Sequence, residues 1–164
     1  MAIVGELALQ VTETIKLQNG NTINNVNYKT LPGINQVVQR VDTISTAFSG
    51  SGVEILKFVD SESEQTAGSF VKSDVKYIRI TNLDSTNYVE LYLIASEDEE
   101  VIFKLDAGKT FMLSNAQFDA SGDDDVVVVG YVDMTYFSNL TSYDTIKAKA
   151  DTDDVYIEYF VAST

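Results

Sequence analysis

The sequence predicts one all-β domain over residues 1–164, an antiparallel β-sandwich of jelly-roll type with about nine or ten strands and at most one short helix. Apolar and polar residues alternate with a period of two over most of the chain, which places every second side chain on one face of a strand. Turn-forming clusters recur at short intervals between these runs, without the βαβ spacing of a parallel sheet. No window of a dozen residues holds the period near 3.6 of an amphipathic helix.

In the first segment Leu7, Leu9, Val11, Ile15 and Leu17 share one parity, while Ala8, Gln10, Thr12, Thr14 and Lys16 share the other. That pattern predicts a half-buried strand. Gln18-Asn19-Gly20-Asn21 carries the Asn-Gly pair that accepts the positive φ of a tight hairpin, so the chain should return through residues 22–30. Pro32-Gly33 then marks an edge or corner, since proline cannot donate to a ladder. Residues 1–33 are therefore expected to form an N-terminal hairpin or arm able to contact a neighbouring subunit by strand addition.

Residues 36–48 follow as a polar, β-rich stretch with Val37, Val38, Val41 and Ile44, and Ser49-Gly50-Ser51-Gly52 is a hinge candidate too short to link domains. Residues 53–59 resume strand character, and 60–69 read as a polar, acidic loop. Three strands are expected at 75–83, 88–95 and 100–105, joined through Asp84-Ser85-Thr86-Asn87 and Ser96-Glu97-Asp98-Glu99 as an antiparallel meander. Asp106-Ala107-Gly108-Lys109 turns the chain into a strand at 110–113, and 114–119 form a short helical turn capped by Ser114. Beyond the acidic loop Gly122-Asp123-Asp124-Asp125, the run Val126-Val127-Val128-Val129 reads as a strand buried on both faces, continuing toward Phe137. Strands at 142–150 and 155–161 close the chain.

Composition excludes several classes of function. The chain has no Cys, His or Trp, which removes disulfides, thiolate nucleophiles, cysteine metal sites and the usual histidine triads. With 25 acidic against 11 basic residues its net charge is −14, which repels nucleic-acid phosphates and anionic lipid. The start Met1-Ala2-Ile3-Val4-Gly5-Glu6 lacks the basic and apolar regions of a signal peptide. No apolar run approaches the length of a membrane span, roughly 20 residues. A soluble chain made in the cytoplasm, with no nucleic-acid or membrane partner, is the expectation. The sequon Asn139-Leu140-Thr141 is then a coincidence of spacing.

Each chemical motif has a plainer reading. Ala107-Gly108-Lys109-Thr110 imitates the end of a phosphate-binding loop, but Phe103 stands where its first glycine should be and Phe111-Met112-Leu113 reads as strand, not helix. Acidic clusters at 97–100, at Asp123 to Asp125 and at Asp151, Asp153 and Asp154 lack the alternating spacing of a calcium loop and read as solvated turns. Carboxylates are too many to nominate a glycosidase pair. No catalytic, cofactor-binding or metal-binding residue is assigned, and no cofactor is expected; the reading is non-enzymatic. Tyr77, Tyr88 and Tyr92, on neighbouring predicted strands, form a candidate sugar-stacking or subunit-contact face, although tyrosines also fill sandwich cores.

The segments Val75-Lys76-Tyr77-Ile78-Arg79-Ile80-Thr81-Asn82-Leu83-Asp84 and Lys104-Leu105-Asp106-Ala107-Gly108-Lys109-Thr110-Phe111-Met112-Leu113 resemble small virion structural proteins of tailed bacteriophages, particularly marine ones. Ile146-Lys147-Ala148-Lys149-Ala150-Asp151 and Tyr156-Ile157-Glu158-Tyr159-Phe160-Val161-Ala162 are similar too. The resemblance implies location in the virion, as a capsid decoration, or cement, protein that stabilises the phage head. Its partners would be the major capsid protein or other virion subunits and further copies of itself, with a trimer favoured. A tail- or fibre-associated protein, or a carbohydrate-binding sandwich that recognises a host receptor, is the alternative, and a β-sandwich hydrolase with a carboxylate pair in a cleft is a third.

Overall fold

The computed structural model describes residues 5–48, 50, 52–95, 100–114 and 143–164. The expected turn at 96–99, helical turn at 114–119, acidic loop at 122–125, valine-rich strand and sequon lie outside the described residues, apart from Ser114, which ends a strand. The described residues hold eleven strands and two short 3-10 turns. They are β1 (Gly5–Lys16), β2 (Thr22–Ile34), β3 (Gln36–Ile44), β4 (Val53–Val59), β5 (Ser69–Val71), β6 (Val75–Asn82), β7 (Val89–Ala95), β8 (Glu100–Leu105), β9 (Thr110–Ser114), β10 (Tyr143–Ala150) and β11 (Val155–Ser163).

Two sheets face each other across the core, one in the order β5-β4-β10-β7-β8 and the other β3-β11-β6-β9, while β1 and β2 pair only with one another. Setting aside β5, the sandwich strands taken in chain order place the first, eighth, third and sixth in one sheet and the second, seventh, fourth and fifth in the other. That is the double Greek-key order of a jelly roll. All ladders are antiparallel except β4 with the short β5.

The core forms because alternate residues of both sheets are apolar and large. Ile78, Ile80, Ile157 and Val161 of one sheet meet Leu56, Leu91, Leu93 and Ile146 of the other, each with at most 1% of its surface exposed. Phe103 and Phe111, with ring centroids 5.0 Å apart, join β8 to β9, the edge strands on one side of the sandwich.

Several expectations are corrected. The strands at 75–82, 89–95 and 100–105 are not a meander, because β6 lies in the other sheet and only β7 and β8 pair directly. Asn82 marks the crossing, its side chain buried where polar groups need partners. Its amide donates to the Asn87 and Leu105 carbonyls (2.9 and 3.1 Å), tying the end of β6 to a loop that crosses the sandwich instead of reversing beside it. Asp84 helps shape that crossing, accepting the Thr86 and Asn87 N–H groups at 2.7 Å. Such side-chain-to-backbone bonds are the usual way aspartate builds a turn. The acidic loop at 60–69 contains a 3-10 turn, Glu62–Glu64, and a second, Lys72–Asp74, follows β5, each three residues long.

Gly52 is no free hinge. A Cβ there would overlap the Ala148 carbonyl, and its φ of +83° favours glycine independently. It is packed where β4 enters its ladder with β10.

Candidate functional site

The most unusual feature of the chain is its first hairpin. β1 and β2 are paired from Leu7 with Leu31 to Lys16 with Thr22, closed by a loop in which Gly20 takes φ +86°. Leu17 N–H donates to the Asn21 carbonyl (2.8 Å) and Gly20 N–H to the Leu17 carbonyl (3.0 Å). The loop is therefore Gln18-Asn19-Gly20, a three-residue connection with its glycine left-handed. The ladder slips at Gly5 and Glu6, opposite Gly33 at φ +80°. This bulge beside Pro32 makes the expected corner.

Residues 10–30 are exposed without exception. The half-buried strand expected for β1 is thus confined to Leu7 and Leu9. Directly paired residues share a face, so Leu7, Leu9, Val11 and Ile15 of β1 join Leu31 and Ile23 of β2 in an apolar stripe that Glu13, Asn25, Asn27 and Lys29 interrupt on the same face. Its near end rests on the body, where Leu7, Leu9 and Leu31 pack with Tyr77, Phe160 and Ala162. Its far end is open, with Val11, Ile15 and Ile23 each about half exposed. Val26 and Tyr28 add apolar surface on the reverse face, Tyr28 being 75% exposed.

The seat belongs to the outer face of the β3-β11-β6-β9 sheet. Register places Tyr77, Arg79 and Thr81 of β6 beside Tyr156, Glu158, Phe160 and Ala162 of β11, Val37, Gln39 and Val41 of β3, and Met112 of β9. Val37, Val41, Met112 and Tyr156 are all more than half exposed. The only charges in this group neutralise each other: Arg79 Nη2 donates to Glu158 Oε2 at 2.7 Å, and the guanidinium lies 5.5 Å from the Phe160 ring centroid. A charge-assisted bond and a cation over a ring face thus hold one arginine. Gln39 completes the cluster by donating to Glu158 Oε1 (2.6 Å).

The sequence-nominated tyrosines are not brought together. Tyr77 is buried under the arm on one sheet, whereas Tyr88 and Tyr92 stand at β7 in the other. Burial first, and then a hydrogen bond to Glu90, pushes the Tyr92 phenol up to about 12, while the Tyr88 hydroxyl is raised by its bond to Asp151. Lys104 lies 4.0 Å from the Tyr88 ring centroid. One face of Tyr88 is thus taken by Lys104, and Tyr92 is buried, so neither ring offers a sugar an open pair of faces.

Other chemistry resolves similarly. Ala107-Gly108-Lys109-Thr110 is a turn between β8 and β9, with Lys109 N–H donating to the Asp106 carbonyl at 3.0 Å, and no helix follows it. Of the described acidic groups, Asp154 accepts the Thr46 N–H (3.1 Å), and no described cluster of three or more acidic residues is arranged to hold a metal ion. A cleft of about 110 Å³ between β3 and the β4–β5 edge is lined by Arg40, Ser69 and Tyr159 among others and by no carboxylate. It is not the paired-acid cleft of a glycosidase. No helix among the described residues is long and apolar enough to cross a membrane.

Sequence reasoning located the arm but missed the sheet face. The available signal was β3, where Val37, Val38, Val41 and Ile44 occupy both parities and so place valine on the outer as well as the inner side. Comparisons with family models, curated proteins and solved structures give no match for this chain.

Proposed function

We propose that the chain is a non-enzymatic structural subunit of a virion, of the capsid decoration type, that works by burying its uncovered apolar surfaces against neighbouring subunits. The observation that carries this reading is the arm, a two-stranded sheet of its own whose Val11, Ile15, Ile23 and Val26 face solvent. An isolated hairpin is marginally stable in water, and one with exposed apolar residues is an interaction element awaiting a cover. The jelly-roll body supports the reading by providing a rigid platform, and the strand segments that resemble phage structural proteins fall on β6, β8–β9, β10 and β11.

Binding only to the assembled shell would stabilise that shell by mass action, so a cement protein needs many modest contacts and no catalytic group. The test is to mix purified protein with expanded capsids of the virus that encodes it and locate it by electron microscopy. Stoichiometric, regularly placed density on the head is expected. Density confined to the tail would support the fibre alternative, and no association with any particle would refute a virion role.

A further inference from the structure

We infer that the arm's partner is a second copy of this chain, and that the open end of the arm's apolar stripe packs on the outer face of that copy's β3-β11-β6-β9 sheet. This rests on the reading of the chain as an assembly subunit and names the contact that reading requires.

Continuity with an interface already present is the first argument. Leu7, Leu9 and Leu31 show that the stripe fits this sheet face, since they seat on its Tyr77, Phe160 and Ala162. Val11, Ile15 and Ile23 continue the stripe, and Val37, Val41, Met112 and Tyr156 continue the face, yet both continuations are open. Within one copy they do not meet, since residues 10–30 are exposed throughout. Only Asn35 separates β2 from β3, its N–H held by the Ser163 carbonyl at 2.9 Å, and the β3–β11 ladder ends at Gln36 with Ser163. The arm beyond Leu9 therefore stands clear of the sheet and is open to another molecule.

Charge is the second argument, and it permits a like copy. In residues 1–34 Glu6 and Glu13 are balanced by Lys16 and Lys29, so the whole net charge of −14 lies on the remainder. The outer sheet face is balanced too, through Arg79 and Glu158. Two copies this acidic repel each other except where their surfaces carry no net charge, and these two surfaces satisfy that condition. The contact joins different patches on the two partners, so repeated around an axis it closes a ring.

The experiment uses the full chain in sedimentation velocity. Wild type should form a discrete oligomer. An arm variant, Ile15→Asp with Ile23→Asp, and a face variant, Val41→Asp with Tyr156→Asp, should each weaken self-association by at least ~30-fold, the scale of a lost hot spot. Circular dichroism and melting should stay unchanged, because all four residues are exposed. Mixing the two variants should restore one contact and yield a heterodimer. Because the chain has no cysteine, Ile23→Cys mixed with Val41→Cys gives a second readout that does not depend on the aspartate variants: disulfide-linked heterodimers are expected, in excess of either homodimer.

A wild-type monomer at every concentration, or an oligomer indifferent to the face variant, would overturn the inference. A monomer that still decorates capsids would sink this contact and leave the virion role standing. A ring that binds no particle would do the reverse.

Discussion

The Tyr77 ring meets the Phe160 ring nearly edge-on, with centroids 6.0 Å apart and planes at 67°, and this pair is the floor on which the base of the arm sits. Edge-to-face contact is a favoured geometry for aromatic rings. Phe160→Ala should lower stability by about 2 kcal/mol, less than for a fully buried phenylalanine because the ring is only partly covered. It should also free the arm, so trypsin should cut at Lys16 and Lys29 several-fold faster than in wild type. Unchanged cleavage would mean the seat does not hold the arm.

Gly52 and Gly20 share a positive φ but not a setting. At Gly20 an added Cβ would meet open space, so Gly20→Ala should cost about 1 kcal/mol, the backbone penalty alone. At Gly52 the Ala148 carbonyl stands in the way, and Gly52→Ala should cost about 3 kcal/mol or more in urea melts. Equal losses at the two sites would show that the β4–β10 approach is looser than described.

Asn82→Leu removes two donors and one acceptor from a buried junction, since Asn82 Oδ1 also accepts the Asp84 N–H at 2.9 Å. A loss of about 3 kcal/mol is expected by thermal melting, with the Asn87 and Leu105 carbonyls left without their partner. The neighbouring Asp84 carboxyl is held below its usual range by the N–H groups of Asn87 and Thr86. Its contribution is therefore present above its ordinary value of 3.8 and is lost as pH falls through the lower native value. Asp84→Asn should flatten the acid side of the stability profile.

Lys72 is a buried cation, with its side chain 11% exposed, bonded to both Asp60 (2.7 Å) and Asp144. Burial pulls its ionisation down, but the hydrogen bonds and charges of Asp144 and Asp60 together outweigh burial and raise it. Stability from this group is thus full below its ordinary value of 10.5 and disappears as pH climbs through the higher native value. Lys72→Met should cost about 1–2 kcal/mol at neutral pH, discounted for the exposure of both carboxylates. The difference from wild type should vanish in strong alkali.

Burial raises the phenols of Tyr77, Tyr143 and Tyr159 as well as Tyr92. The folded state holds these protons more tightly than the unfolded one, so stability should fall as pH passes the ordinary tyrosine value of 10.0 toward about 12. Tyrosinate absorbance should accordingly show an early reversible phase and a late phase coincident with loss of circular dichroism. A single phase preceding unfolding would contradict the burial of these rings.

Much of the fold was legible because strand alternation is a local signal. Val155, Ile157, Tyr159 and Val161 share one parity and lie on a strand, and residues 53–59 and 100–105, set between turn clusters, are strands with the expected bounds. The arm was legible for the same reason, through Asn19-Gly20 and Pro32-Gly33. Sheet membership was not. Nothing near 83–88 distinguishes a turn from a crossover until Asn82 is seen reaching the Leu105 carbonyl, 23 residues away.

By itself, then, the sequence determined the class of fold, the hairpin at its start, and the absence of cysteine and histidine chemistry. Each of these follows from residue identity or from neighbours a few positions apart. Only the tertiary structure decided which apolar residues lack a cover. Alternation places Val11, Ile15, Val37 and Val41 on one side of a strand, but burial depends on what packs against that side. The base of the arm and part of the outer sheet face cover each other, whereas these four residues stay about half exposed among the described residues.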